Sequence, residues 1–146
     1  MGPRGPRGAH HGRRRRPLSR VRYLLDSTFA IDYLRARPEA TARMWRLVAA
    51  GDEPYITDVV LCEIATGMRP GEAAAVSVFV RGVEFVQPGP EVASRAGEWR
   101  GSARARGLTL SVPDALIAAT ADALGAAILT RNVRDFGLTP VPIETY

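Results

Sequence analysis

Four acidic side chains sit where short apolar runs give way to helix-spaced segments: Asp26 in LLDST, Glu63 in ITDVVLCEIATG, Asp114 in SVPDALIAAT and Asp135 in TRNVRDF. Taken singly, each has an ordinary role. Asp26 can cap a helix beginning near Phe29 and Asp114 can complement a helix dipole, each stabilising by about 0.5–1 kcal/mol. Glu63 is different, because Val59, Val60, Cys62 and Ile64 around it are nearly all apolar, and a carboxylate among them needs a partner or a cation. Taken together the acids imply chemistry. Carboxylates brought within a few ångströms repel one another unless protons or a metal compensate. A hard divalent ion with oxygen ligands, Mg²⁺ or Mn²⁺, suits such a set.

The elements that must position these acids are legible from Val21 onward, where the pattern is that of β-α repetition around a mostly parallel sheet. Strands are expected at Val21–Leu25, Pro54–Thr57, Val83–Val86 and Ala126–Thr130, with a final edge at Val141–Glu144. Helices are expected at Phe29–Arg35, Glu39–Ala50, Val59–Met68 with Asp58 as its cap, Gly71–Arg81, Pro90–Arg106 and Pro113–Leu124. The last is the best marked: Ser111 caps it, Pro113 stands in its first turn and Gly125 ends it. In an open parallel sheet the functional crevice lies beyond the carboxyl ends of the strands. Asp26 follows the first strand directly, and the strand ending at Thr130 delivers Thr130, Asn132 and Asp135 to the same edge.

The remaining composition excludes several classes of enzyme. All 20 basic residues of the 146 are arginine. Without lysine there is no Walker A loop, no Schiff base, no Ser-Lys pair and no phosphorylation-receiver pocket. His10 and His11 are the only histidines and lie in a Gly/Pro/Arg-rich leader, which removes Ser-His-Asp and Cys-His sites from the folded part. The single Cys62 allows no internal disulfide or thiolate cage, fits a reducing cytoplasm, and reads as a buried, inert thiol.

The net charge of +5 divides unevenly. Residues 1–22 carry eight arginines and no acid; the other twelve arginines face all fifteen acids, leaving residues 23–146 at −3. The chain thus reads as a basic, disordered leader over residues 1–20 and one domain over 21–146. The apolar run after the leader is broken by Arg20, Arg22, Asp26 and Asp32, so it is not a signal peptide, and no stretch reaches 18 apolar residues.

With those segments in hand, the chain resembles the PIN-domain ribonucleases of the VapC toxin type. LLDST, ITDVVLCEIATG, PDALIAATADALGAAILT and TRNVRDF occur in the family's order from about Val21 to the end. The resemblance implies a three-layer α/β/α domain whose acids bind Mg²⁺ or Mn²⁺ and hydrolyse RNA phosphodiester bonds. It also implies a homodimeric toxin with a cognate VapB-like antitoxin. Carried onto this chain, Asp26 and Asp114 would hold the principal metal, with Glu63 and Asp135 in its outer sphere or at a second site.

Two departures matter. Family members often place an acid directly after Thr-Arg, where this chain has Asn132; either Asp135 is the fourth acid, the reading preferred here, or the fourth is absent and Asn132 orients a water. The basic leader is also atypical. Ser27, Thr130 and Arg131 are further candidates for water or phosphate contacts, with Arg134 and the Arg100/Arg104 pair attracting RNA. Trp45, Trp99 and Phe79 are expected in the core or a dimer interface. Two other functions compete: a non-catalytic RNA- or partner-binding domain of the same fold, and a metal-dependent phosphatase. The latter is weakened because Thr28 stands where a second aspartate would be needed.

Overall fold

The computed structural model describes residues 19–146; all but the last two residues of the expected leader therefore lie outside the described residues. Five strands, β1 (Arg22–Leu25), β2 (Glu53–Thr57), β3 (Glu84–Val86), β4 (Ala127–Leu129) and β5 (Ile143–Glu144), form one sheet in the order β3-β2-β1-β4-β5. Every pairing is parallel. Seven helices flank it in an α/β/α arrangement: α1 (Ser27–Leu34), α2 (Pro38–Ala50), α3 (Asp58–Thr66), α4 (Ala73–Gly82), α5 (Pro90–Ala105), α6 (Val112–Leu124) and α7 (Val133–Phe136).

The central strands read as unbroken apolar runs because parallel strands are covered on both faces. Leu24, Leu25, Ile56, Ile128 and Leu129 are all fully buried. A second cluster, built from Ala96, Ala103, Leu110, Ala115 and Ala119, joins α5 to α6 through small side chains that let the two helices approach closely. The chain leaves β1 toward β2 and β3, then returns to the other side of β1 as β4. That reversal puts the topological switch point between the carboxyl ends of β1 and β4, the position at which open α/β sheets bind ligands.

The expected helices match with small shifts at their ends, and α6 is bounded as read. Ser111 Oγ accepts from the Asp114 N–H at 3.2 Å, and Gly125 closes the helix in the left-handed region with φ 63°. The differences are local. The cap of α3 is Thr57, whose Oγ1 accepts from the Val60 N–H at 3.3 Å, with Asp58 one residue inside the helix. The four-residue α7 is an extra helix, too short to show a periodicity. Trp45 is 70% exposed and so is no core residue, whereas Phe79 is buried and Trp99 packs partly against both clusters. Cys62 is exposed, not buried: Val60 and Ile64 take the inward face of α3, and Cys62 lies on the other side.

Core and surface should respond differently to truncation. In urea denaturation Leu24→Ala is expected to cost about 2–5 kcal/mol of stability, and Trp45→Ala less than about 0.5 kcal/mol. Equal losses would contradict this placement.

Candidate active site

β1 ends at Leu25, and the Asp26 N–H extends the ladder by one bond to the Leu129 carbonyl at 3.1 Å. Asp26 is thereby fixed at the switch point and is only 2% exposed. It occupies the cap position of α1, yet its side chain makes no capping bond. Its oxygens serve the crevice instead. Oδ2 accepts from Thr130 Oγ1 at 2.7 Å and from Thr28 Oγ1 at 2.9 Å, while Ser27 Oγ lies 3.5 Å from Oδ1. Hydroxyl donors satisfy the carboxylate's hydrogen-bonding needs without bringing a counter-charge to it.

Ser27 Oγ also donates to Oε2 of Glu63, which answers the need of that carboxylate for a partner and ties α3 to α1. Thr130 is held in turn: its Oγ1 accepts from the Asn132 N–H at 2.9 Å. Asn132 caps α7, its Oδ1 accepting from the Asp135 N–H at 3.4 Å and its Nδ2 donating to Asp135 Oδ2 at 3.1 Å. Both ends of the amide are thus in use. Asp135 keeps Oδ1 without a hydrogen-bond partner among the described residues.

Asp114, in the first turn of α6, completes the group. Burial pushes its carboxyl above the ordinary value, the Ser111 hydrogen bond pulls it back, and the charges of Asp26, Asp135 and Glu63 each raise it further. Four carboxylates from four segments therefore share one field. Among the described residues no three acids stand close enough to grip a metal ion together as they are placed. The set consists of hard oxygen donors and hydroxyls, which fits an ion of the Mg²⁺ kind that binds through one or two carboxylates and retains much of its water.

A neighbouring constellation was not foreseen. Asp32, 7% exposed, accepts from Arg131 Nη2 at Oδ1, 3.3 Å away, and its Oδ2 forms an ion pair with Nε at 2.9 Å. Tyr146 Oη donates to Asp32 Oδ2 at 2.8 Å and accepts from Arg131 Nε at 3.1 Å. Burial first, then the hydrogen bond to Asp32, pushes the Tyr146 hydroxyl up to about 12. Asp32 carried a signal, being an acid among Phe29, Ala30, Ile31, Tyr33 and Leu34. Tyr146, 114 residues away, carried none. Arg100 donates through Nε to the Leu110 carbonyl at 2.9 Å, while Arg104 on the same helix is exposed.

The PIN domain model matches residues 23–139. The chain is 33% identical over 117 residues to Ribonuclease VapC19 of Mycobacterium tuberculosis, covering 80% of this chain and 94% of that protein. Its fold matches the crystal structure of VapBC2 from Rickettsia felis bound to a promoter DNA fragment, with a TM-score of 0.77, 22% identity and coverage of 86% and 99%. It also matches VapBC-1 from nontypeable Haemophilus influenzae, with a TM-score of 0.73, 21% identity and coverage of 86% and 98%.

The shared field has a consequence for stability. A carboxyl whose folded pKa lies above the unfolded value favours the protonated fold, so its ionisation destabilises; that cost develops as pH rises from about 4 through the folded value and then stays constant. Metal-free Asp114→Asn should therefore be more stable than the parent at pH 7, with the gap closing toward pH 4. Saturating Mn²⁺ should raise the melting temperature of the parent more than that of the variant. A gap that ignores both pH and metal would show that Asp114 is only a helix-end acid.

Proposed function

The chain belongs to the PIN-domain family, and from that premise we propose that it is a VapC-type endoribonuclease, the toxin of a toxin–antitoxin pair, dependent on Mg²⁺ or Mn²⁺. One observation carries the reading: Asp26 is buried at the switch point with hydroxyls as its partners, in the same field as Glu63, Asp114 and Asp135, and no hydrogen bond or ion pair from an arginine reaches any of the four among the described residues. Asp26 and Asp114 would hold the ion, with Glu63 and Asp135 acting through its water shell. A bound ion supplies Lewis-acid charge opposite the phosphate and lowers the pKa of water in its shell.

The protein's own part is positional. Thr28 and Thr130 fix the Asp26 carboxyl in place through Oδ2. Ser27 restrains Glu63 through Oε2, and Asn132 restrains Asp135 through Oδ2. These carboxylates are placed to take up the proton released by an attacking water.

The partners follow from the same kinship. A cognate antitoxin is the expected protein partner, as in the VapBC assemblies of similar fold, and an apolar groove of about 570 Å³ between α1, α2 and α4 suits an amphipathic segment of it. Tyr33, Met44, Val48, Val78 and Phe79 are among its lining residues. A homodimer is expected as well. Among the described residues no helix is long and apolar enough to cross a membrane, and the lone cysteine accords with a cytoplasmic protein.

Purified protein incubated with total RNA should cleave it in Mg²⁺ or Mn²⁺ and not in EDTA, and Asp114→Asn should lose at least about 100-fold in rate. Turnover of a phosphomonoester without RNA cleavage would instead identify a phosphatase; metal binding without any cleavage would identify a binding domain. The leader joins β1 at the end opposite Asp26, about 13 Å away at 3.3 Å per residue. Deleting residues 1–18 should accordingly leave the cleavage rate largely unchanged, and loss of cleavage would bring the leader into the reaction.

A further inference from the structure

Thr28 and Asp32 stand one turn apart on α1 and so share a face. Both grip the segment that leaves β4. The Arg131 N–H approaches Thr28 Oγ1 at 3.4 Å, and the Arg131 side chain is forked onto Asp32. Tyr146 closes the arrangement from β5's side, its hydroxyl bonded to both members of the pair and its ring edge-on to buried Phe29 at 4.8 Å between centroids. Thr28 is also a donor to Asp26, so the backbone N–H of Arg131 and the carboxylate cluster are separated by a single hydroxyl, and the guanidinium is held one turn further along α1, at Asp32.

The Nε and Nη2 edge faces Asp32, with Nη2 donating to Oδ1 and the Nε–H to Tyr146 Oη. The side chain nevertheless stays 60% exposed, and Nη1 has no hydrogen-bond partner among the described residues. A counter-ion serving Asp32 alone would be better enclosed. We propose that Asp32 and Tyr146 are positioning residues for RNA cleavage, holding the Arg131 guanidinium at the rim of the carboxylate cluster so that its free edge meets a backbone phosphate of the RNA. A free arginine gives up the motion of a long side chain when it grips a phosphate, whereas one already braced on two partners gives up little. The cationic edge also offsets the repulsion between the acid cluster and a polyanion. The inference rests on the nuclease reading, because the phosphate is that of the substrate.

The test compares full-length variants on a fluorogenic single-stranded RNA oligonucleotide in Mn²⁺. Tyr146→Phe keeps the ring on Phe29 and removes only the hydroxyl; it should raise KM about fivefold with kcat little changed. Arg131→Lys keeps a cation beside Asp32 but loses the fork; it should raise KM by a similar factor, and adding Tyr146→Phe to it should bring no further change. In ¹⁵N spectra the Arg131 Nε–H should exchange slowly in the parent and quickly in Tyr146→Phe. An unchanged KM in Tyr146→Phe, fully multiplicative effects in the double variant, or an Nε–H that already exchanges quickly in the parent would each overturn the proposal. A parent that cuts no RNA would remove the nuclease reading and this inference with it; a parent that cuts while KM stays fixed in the variants would remove the inference alone.

Discussion

A carboxylate withdrawn from water needs hydrogen bonds or a counter-charge, and the arrangement at the switch point follows from how Asp26 meets that need. Thr28 comes from the first turn of α1, Thr130 from the residue after β4, and Ser27 links the same corner to α3 through Glu63. The Thr28 contact is local, but the Thr130–Asp26 and Ser27–Glu63 bonds each need two elements distant in sequence to be in register, and together they tie β1 to β4 and α1 to α3.

The protein treats two nearby buried acids in opposite ways. Asp32 is given an arginine and a phenol, which neutralise it within the fold. Asp26 is given only hydroxyls, and the carboxyl of Asp114, under the charges of Asp26, Glu63 and Asp135, is pushed up instead of being paired. Neutral donors support a carboxylate while leaving its charge available to an external cation. That contrast separates an acid whose charge is taken up by Arg131 from acids whose charge is left without a partner cation, and neither burial nor residue type alone makes the distinction.

Most of the architecture was legible because burial writes itself as pattern. LLD, AILT and the capped run from Ser111 to Gly125 each carry their own boundary signals, and the all-parallel sheet agrees with them. What could not be read has physical reasons. A four-residue helix has no measurable period, so α7 and the capping role of Asn132 were hidden. Periodicity gives the faces of a helix but not which one turns inward, so Cys62 was expected in the interior and lies outside it, and Trp45, expected in the core or a dimer interface, is not in the core. Arg100 looked like half of a surface pair because its acceptor, the Leu110 carbonyl, is a backbone group with no residue signature.

The sequence by itself determined the α/β alternation and the absence of lysine, and it singled out the four acids as candidates, since these depend only on residue type and on spacing within one element. The tertiary structure decided which hydroxyl serves which acid, that Asn132 is occupied as a cap, and that Asp32, Arg131 and Tyr146 form one unit. The contacts of Thr130 with Asp26 and of Arg131 and Tyr146 with Asp32 join segments about a hundred residues apart, which are brought together by the packing of the whole sheet and leave no local mark on the chain.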